Sequence, residues 1–213
     1  MRNALVSCIV LIGFIMLFFT IPAYAAVSLF TDRAAFLSAS TGLTNIDFEQ
    51  NAYGQYTNYP SGATFSGVSF VGGGNLYTID PAFSPAYYDW GSGDILSDQI
   101  QDMSLFVTLP GAGTRAVGSD IMSFDPYASN FAISLSTGDS YTVGSATWPT
   151  RAFVGFISDS PITSLTFRTL GSQYANLDNF VFGETGAVPE PATMSLLGLG
   201  LLGLAGLGKK KRS

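Results

Sequence analysis

The strongest constraint on this chain is a rhythm in its middle. Six short runs, at residues 64–70, 104–109, 131–135, 140–143, 153–157 and 162–167, are β-branched or aromatic in character and are bounded by Gly, Pro, Asp or Ser. Side chains of a strand alternate between two faces, so such runs suit half-buried β-strands and are too short for packed helices. About ten strands of this kind, separated by turns and never alternating with helices, predict an all-β fold. The expected architecture is a two-sheet sandwich of the jelly-roll type. Residues 136–140, Ser-Thr-Gly-Asp-Ser, read as a hairpin turn between two runs. Helix is expected only over residues 31–40, where Thr31 or Asp32 caps a stretch containing Ala34, Ala35, Phe36 and Leu37.

Composition narrows the chemistry. The 213 residues include 24 Gly, 10 Pro and 17 Phe, no His, and a single Cys, Cys8, inside an apolar N-terminal run. A chain without imidazole or a retained thiol has no Ser-His-Asp or Cys-His catalysis, no zinc site built on those ligands and no disulfide. Residues 27–187 carry four arginines and no lysine against fourteen acids, a net charge of −10. Nucleic acid and anionic lipid are therefore poor partners, and Schiff-base chemistry is excluded. Carboxylates, hydroxyls, aromatic rings and backbone remain.

The two ends tell where the chain goes. Arg2, an apolar run from Ala4 to Phe19, Pro22 and the small residues Ala23 and Ala25 form the tripartite pattern of a Sec signal peptide cut after Ala25. At the other end Pro189, Glu190 and Pro191 precede seventeen uncharged residues, Ala192 to Gly208, and then Lys209, Lys210, Lys211 and Arg212. As a helix the seventeen would extend about 25 Å at ~1.5 Å per residue, a marginal membrane span. The basic tail would stay in the cytoplasm and leave the preceding domain outside. Gly198, Gly200 and Gly203 match a dinucleotide-binding spacing, but the chain ends ten residues later and leaves no room for the acid that motif needs. The expected organisation is a signal peptide at 1–25, an exported domain at 26–187 and a sorting or transmembrane segment at 188–213, with apolar helices at both chain ends.

The Pro-Glu-Pro motif, Leu/Gly-rich helix and basic tail together closely resemble the PEP-CTERM sorting domain of Gram-negative bacteria. That resemblance implies transit through the inner membrane, recognition by an exosortase-type sorting enzyme and delivery to the cell surface or extracellular matrix. Stretches at 30–36, 46–49, 115–118, 153–163 and 177–183 are similar to the exported domain that commonly precedes such a tail, which implies architecture and location but no activity.

Two constellations are candidates for a site. In residues 45–50, Ile46 and Phe48 would face one side of a strand and Asp47 and Glu49 the other, while Asp178 falls on the face of Phe180 and Phe182. Jelly-roll carbohydrate-binding modules hold a structural calcium between comparable positions, and the resemblance implies Ca2+ at Asp47, Glu49 and Asp178, since calcium takes six to eight oxygens. The alternative is that these acids solvate strand ends, or that Asp178 pairs with an arginine. The second constellation is aromatic: Tyr53, Tyr56, Tyr59, Phe83, Tyr87, Tyr88 and Trp90 crowd two Gly/Pro/Asn-rich segments among Asp80, Asp89 and Asp94. Rings beside carboxylates suit a polysaccharide, because a ring packs on the apolar face of a pyranose while polar groups bind its hydroxyls. The alternative is that the rings cover sandwich edges.

A glycosidase needs a carboxylate pair in a cleft, and residues 27–187 hold only Glu49 and Glu184 as glutamates. The sequence thus reads as a non-enzymatic exported protein with Tyr53, Tyr56, Tyr87, Tyr88 and Trp90 as ligand-binding residues. A jelly-roll glycan-active enzyme and an ice-binding protein are the alternatives, and no regular Thr-x-Thr array favours the latter.

Overall fold

The computed structural model of the chain describes residues 26–91, 93–98, 104–111, 113–123, 130–144, 149–171 and 174–185. The apolar helices expected at the two chain ends, and with them Pro189, Glu190 and Pro191, lie outside the described residues. Among the described residues no helix is long and apolar enough to cross a membrane.

The chain opens with β1 (Val27–Phe30), α1 (Arg33–Ser38), β2 (Ser40–Ile46), β3 (Tyr56–Tyr59), β4 (Ala63–Phe65), β5 (Val68–Val71) and β6 (Leu76–Ile79). A 3-10 turn (Pro81–Phe83) and α2 (Pro85–Tyr88) lead to β7 (Ile95–Asp98), β8 (Ser104–Thr108) and β9 (Ala116–Met122). The remainder is β10 (Asn130–Leu135), β11 (Ser140–Gly144), β12 (Ala152–Ser158), β13 (Ser164–Leu170) and β14 (Ala175–Thr185).

The all-β, two-sheet expectation holds. One sheet runs β1-β12-β9-β14-β7-β6-β3, with β2 also on β14, and the other runs β11-β10-β13-β8-β5-β4. All of these pairings are antiparallel. The inner faces share one core, in which Val117, Ile121, Phe156, Leu177 and Phe180 of the larger sheet meet Phe70, Leu105, Phe131, Ile133 and Phe167 of the smaller. Strand β14 organises the larger sheet: its first residues pair with β7, Leu177 opposite Leu96, and later ones with β2, Phe180 opposite Ile46. Its other edge runs along β9.

Helix α1 forms where the sequence places it, two residues shorter at each end. The Asp32 side chain accepts from the Ala35 N–H at 2.6 Å, an N-cap worth about 1 kcal/mol. Its one buried residue, Phe36, packs edge-on against Phe30 at 5.9 Å and against Phe153 at 5.4 Å. This contact needs Gly155, where a Cβ would sit 2.6 Å from a Phe36 ring carbon.

Local expectations change at four places. Helix is not confined to residues 31–40, since Pro81 and Pro85 start the 3-10 turn and α2. Residues 64–70 are not one strand but a hairpin, β4 and β5, because Ser66 (φ 48°) and Gly67 (φ 82°) both turn left-handed. That is the backbone a tight hairpin loop requires. Strand β2 stops at Ile46 and Phe48 takes φ 60°, so residues 47–49 are not strand, although the expected division holds: Ile46 and Phe48 share the core while Asp47 and Glu49 are exposed. Finally, Asp178 does not share the face of Phe180 and Phe182. A bulge at Asn179 (φ 46°) shifts the register between Asp178 and Val181, so Leu177 and Phe180, three residues apart, both enter the core. Asp178 then points away from it, opposite Asp120 on β9.

Candidate functional site

The outer face of β3 and β6 carries an aromatic cleft. Tyr56 pairs across the strands with Ile79, and Tyr77 lies two residues before Ile79, so alternation puts all three on one face. The chain after β6 then folds back over that face. Pro81 and Pro85 each occupy the first turn of a short helix, where a missing N–H costs nothing, and the two turns bring Phe83 and Tyr88 over the strands. Tyr56 stacks edge-on with Phe83 at 4.9 Å and lies 5.8 Å from Tyr77, and Phe83 is 6.1 Å from Tyr88. Tyr56, Tyr77, Ile79, Phe83 and Tyr88 line a cavity of about 230 Å³.

One carboxylate braces both walls. Asp80 Oδ1 accepts from the Gly54 N–H and from the Ala82 N–H, each at 2.8 Å, tying the loop before Tyr56 to the turn that carries Phe83. Beneath the cleft Trp90, 3% exposed, packs with Ile79, Ile95 and Met122, with Tyr77 and Tyr88 against them.

Of the five aromatic residues expected to bind ligand, the structure brings Tyr56 and Tyr88 into the cleft. Trp90 is buried behind Ile79 and does not line the cavity, and Tyr53 and Tyr87, 87% and 59% exposed, also stand outside the lining. Tyr77 is the residue the sequence reading missed. Its signal was available, since the run Leu76 to Ile79 alternates and sets Tyr77 in phase with Ile79.

A group of acids adjoins the loop before β3. The Asp94 N–H donates to Glu49 Oε1 at 3.0 Å, while Asp94 Oδ2 accepts from the Gln50 and Asn51 N–H groups at 3.3 and 2.8 Å. The Glu49 carboxylate occupies the space that a Cβ on Gly93 would need. Although Glu49 is exposed as a residue, its carboxylate packs against Gly93, and that partial desolvation, then repulsion from Asp94, Asp47 and Asp80, push the carboxyl above its ordinary range, against the lowering effect of the Asp94 N–H. Burial likewise raises that of Asp94, 1% exposed, more than its hydrogen bonds from Asn51 and Gln50 lower it.

Asp178 belongs to a different group. Its carboxylate accepts from the Asn179 backbone N–H at 2.6 Å and the Asn179 amide at 2.9 Å, and pairs with Arg151 at 3.4 Å. Asp120 beside it pairs with Arg33 at 2.9 Å and Arg151 at 3.6 Å, and Arg33 lies 4.5 Å over the Phe153 ring. Of the three residues grouped around calcium by resemblance, Asp47 and Glu49 hydrogen-bond within the Asp94 group, while Asp178 has the arginine partner of the alternative reading. Among the described residues no three acidic side chains are arranged to hold a metal ion.

Residues 187–211 match the family model of the PEP-CTERM protein-sorting motif. The chain carries a PEP-CTERM sorting motif, the mark of an exported protein. The motif implies that an exosortase-type system processes it for the cell surface. No curated protein matches this PEP-CTERM chain. Among solved structures it is similar to an exo-β-1,3-galactanase from Phanerochaete chrysosporium with galactose, at 16% identity over 60% of this chain and 29% of that one, TM-score 0.34. It is also similar to the Agl-KA catalytic domain, at 15% identity over 68% of this chain and 30% of that one, TM-score 0.37. The PEP-CTERM chain thus spans about three tenths of the length of these two structures.

Proposed function

We propose that this PEP-CTERM protein is a non-enzymatic, carbohydrate-binding module of the cell surface or extracellular polysaccharide matrix, and that its aromatic cleft holds one uncharged sugar ring of a longer glycan. The cleft between Tyr56, Phe83 and Tyr88 carries this reading. Tyr56 and Phe83 are 50% and 45% exposed although they stack on each other, so ring surface is held open to solvent by the frame around it. The 230 Å³ cavity is smaller than the roughly 300–1,000 Å³ of sites that enclose a drug-sized molecule, which suits a single ring better than a large ligand.

Charge supports an uncharged ligand. Of the four arginines, Arg33 and Arg151 are committed to Asp120 and Asp178, Arg115 opens β9 near Ser158 and Gly183, and Arg168 sits on β13 of the other sheet. Among the described residues no cation lines the cleft, and Asp80 stands beside it.

The strand order supports a jelly-roll frame. Strands β2-β14-β9-β12 in one sheet and β8-β13-β10-β11 in the other follow the interleaved order of two Greek keys. On that reading β3 to β7 are an insertion between the first two strands of the roll, and the insertion builds the cleft.

The non-enzymatic part of the reading draws on Asp120 and Asp178. They face each other in register, but both are buried and paired with arginines, which leaves neither open to a substrate. A pull-down of the exported protein with insoluble neutral, amino and uronic-acid polysaccharides tests the proposal. Capture by neutral glycans, lost in Tyr56→Ala, without release of reducing ends, is the expected result. Capture by uronic-acid polymers alone, or capture unaffected by Tyr56→Ala, contradicts it.

A further inference from the structure

We propose that Asp159 is the acceptor for the N-terminus created by signal-peptide removal, so that the Ala26 ammonium and the Asp159 carboxylate fasten β1 to β12 in the mature protein. The proposal rests on cleavage after Ala25, which the Ala23-x-Ala25 pattern predicts. It does not depend on the glycan reading.

The Ala26 nitrogen donates to Asp159 Oδ1 at 3.0 Å, and the Ala26 carbonyl accepts from the Asp159 N–H at 3.3 Å. The two residues therefore hold each other in both directions, one step beyond the last registered pair, Val27 and Ser158. In the precursor the donor is a neutral amide. Hydrolysis by the signal peptidase breaks the Ala25–Ala26 C–N bond, adds a hydroxyl to the Ala25 carbonyl and leaves an amine on Ala26. Below its ordinary pKa of about 7.7–8.0 that amine takes up a proton. The hydrogen bond at the same place becomes charge-assisted, roughly twice as strong as the neutral one.

Strand β1 has reason to need it. It is a four-residue edge strand with β12 on one side only. Its far end is held by Phe30 against Phe36, and near its start the Tyr141 hydroxyl donates to the Val27 carbonyl at 3.3 Å. The Asp159 pair closes the near end, so β1 docks more firmly after cleavage than before. Maturation and completion of the sheet edge become one event.

The domain contains no lysine between residues 27 and 187, so the new amine is isolated from other amines there. The experiment takes the exported protein, identifies its first residue by mass, labels amines by reductive 13C-methylation and titrates them by NMR. Any tail lysines titrate separately, near 10.4. The expected result is Ala26 at the N-terminus, with its amine titrating at least about half a unit above that of Asp159→Asn, which retains the backbone contacts. A first residue other than Ala26 overturns the cleavage premise. An Ala26 amine that titrates identically in parent and Asp159→Asn overturns the role of Asp159.

Discussion

Glu49 and Asp94 hold each other's loops: the Asp94 N–H donates to the Glu49 carboxylate at 3.0 Å, and the Asp94 carboxylate receives the N–H groups of the two residues that follow Glu49. Both carboxyls titrate above their ordinary range, Asp94 chiefly from burial and Glu49 from partial desolvation of its carboxylate and the acids around it. A raised folded-state pKa stabilises the fold below the ordinary pKa, and that stability is lost as pH rises through the folded value. Glu49→Gln keeps an oxygen to accept the Asp94 N–H and removes the charge. The variant is expected to melt slightly higher than the parent at pH 7, with the gap closing as pH falls below the ordinary 4.5 of a glutamate. A gap that widens on acidification would show that Glu49 is held by attraction and not repelled.

Asp80 braces the cleft, and its removal should be felt on both walls. Asp80→Ala leaves the Gly54 and Ala82 N–H groups without their acceptor, at a cost of about 1–3 kcal/mol. Asp80→Asn keeps an acceptor and should recover most of that. Denaturant melts of the two variants against the parent decide it, and equal losses in both would mean that the charge matters and the geometry does not.

Some of this was legible in the sequence and some was not, for physical reasons. Helix α1 announced itself through Asp32 and Phe36, and the turn at 136–140 through its Gly and Asp. Strand β7 did not, because Ile95 to Asp98 are all buried and show no alternation. The hairpin at Ser66 and Gly67 was hidden by the regular apolar pattern around it, although Ser-Gly is a turn dipeptide. The face of Asp178 was misread because one left-handed residue, Asn179, inverts the strand's phase; asparagine is the side chain that tolerates this backbone best, but it is also common in regular strands and loops and does not by itself announce a bulge. For the site, aromatic crowding pointed to the right region. It could not separate Tyr56 and Tyr88 in the wall from Trp90 buried behind it, since burial is set by the chain that folds over them.

The arginine partner of Asp178 bears on calcium. The shift in Tm between chelator and millimolar calcium should be the same in the parent and in Asp178→Asn, whatever its size, because a ligand stabilises only through residues that bind it. Asp178→Asn itself should cost about 1–3 kcal/mol, as Arg151 and the Asn179 backbone N–H lose a charged partner. A calcium shift present in the parent and absent in the variant would restore the three-residue site.

Sorting has its own test in the motif. A plain tail anchor needs apolar length and flanking cations, so replacing Pro189, Glu190 and Pro191 by Ala, Gln and Ala would leave it indifferent. A sorting enzyme reads the extended shape that proline imposes. The replacement is expected to hold the unprocessed protein in the inner membrane of a host with the sorting system. A variant identical to the parent in both location and processing would overturn the role of the motif and favour the plain anchor.

Trp90 lies under the cleft and gives the glycan account its most direct test. Tryptophan fluorescence of the exported protein is followed while a soluble neutral glucan or galactan is added, beside a carboxymethylated sample of the same polymer. The account predicts a saturable change with the neutral polymer, at least tenfold weaker in Tyr56→Ala and Tyr88→Ala, about 1.4 kcal/mol per tenfold, and little response to the carboxymethylated one. Equal response to both polymers, or a response that survives loss of both tyrosines, would contradict it.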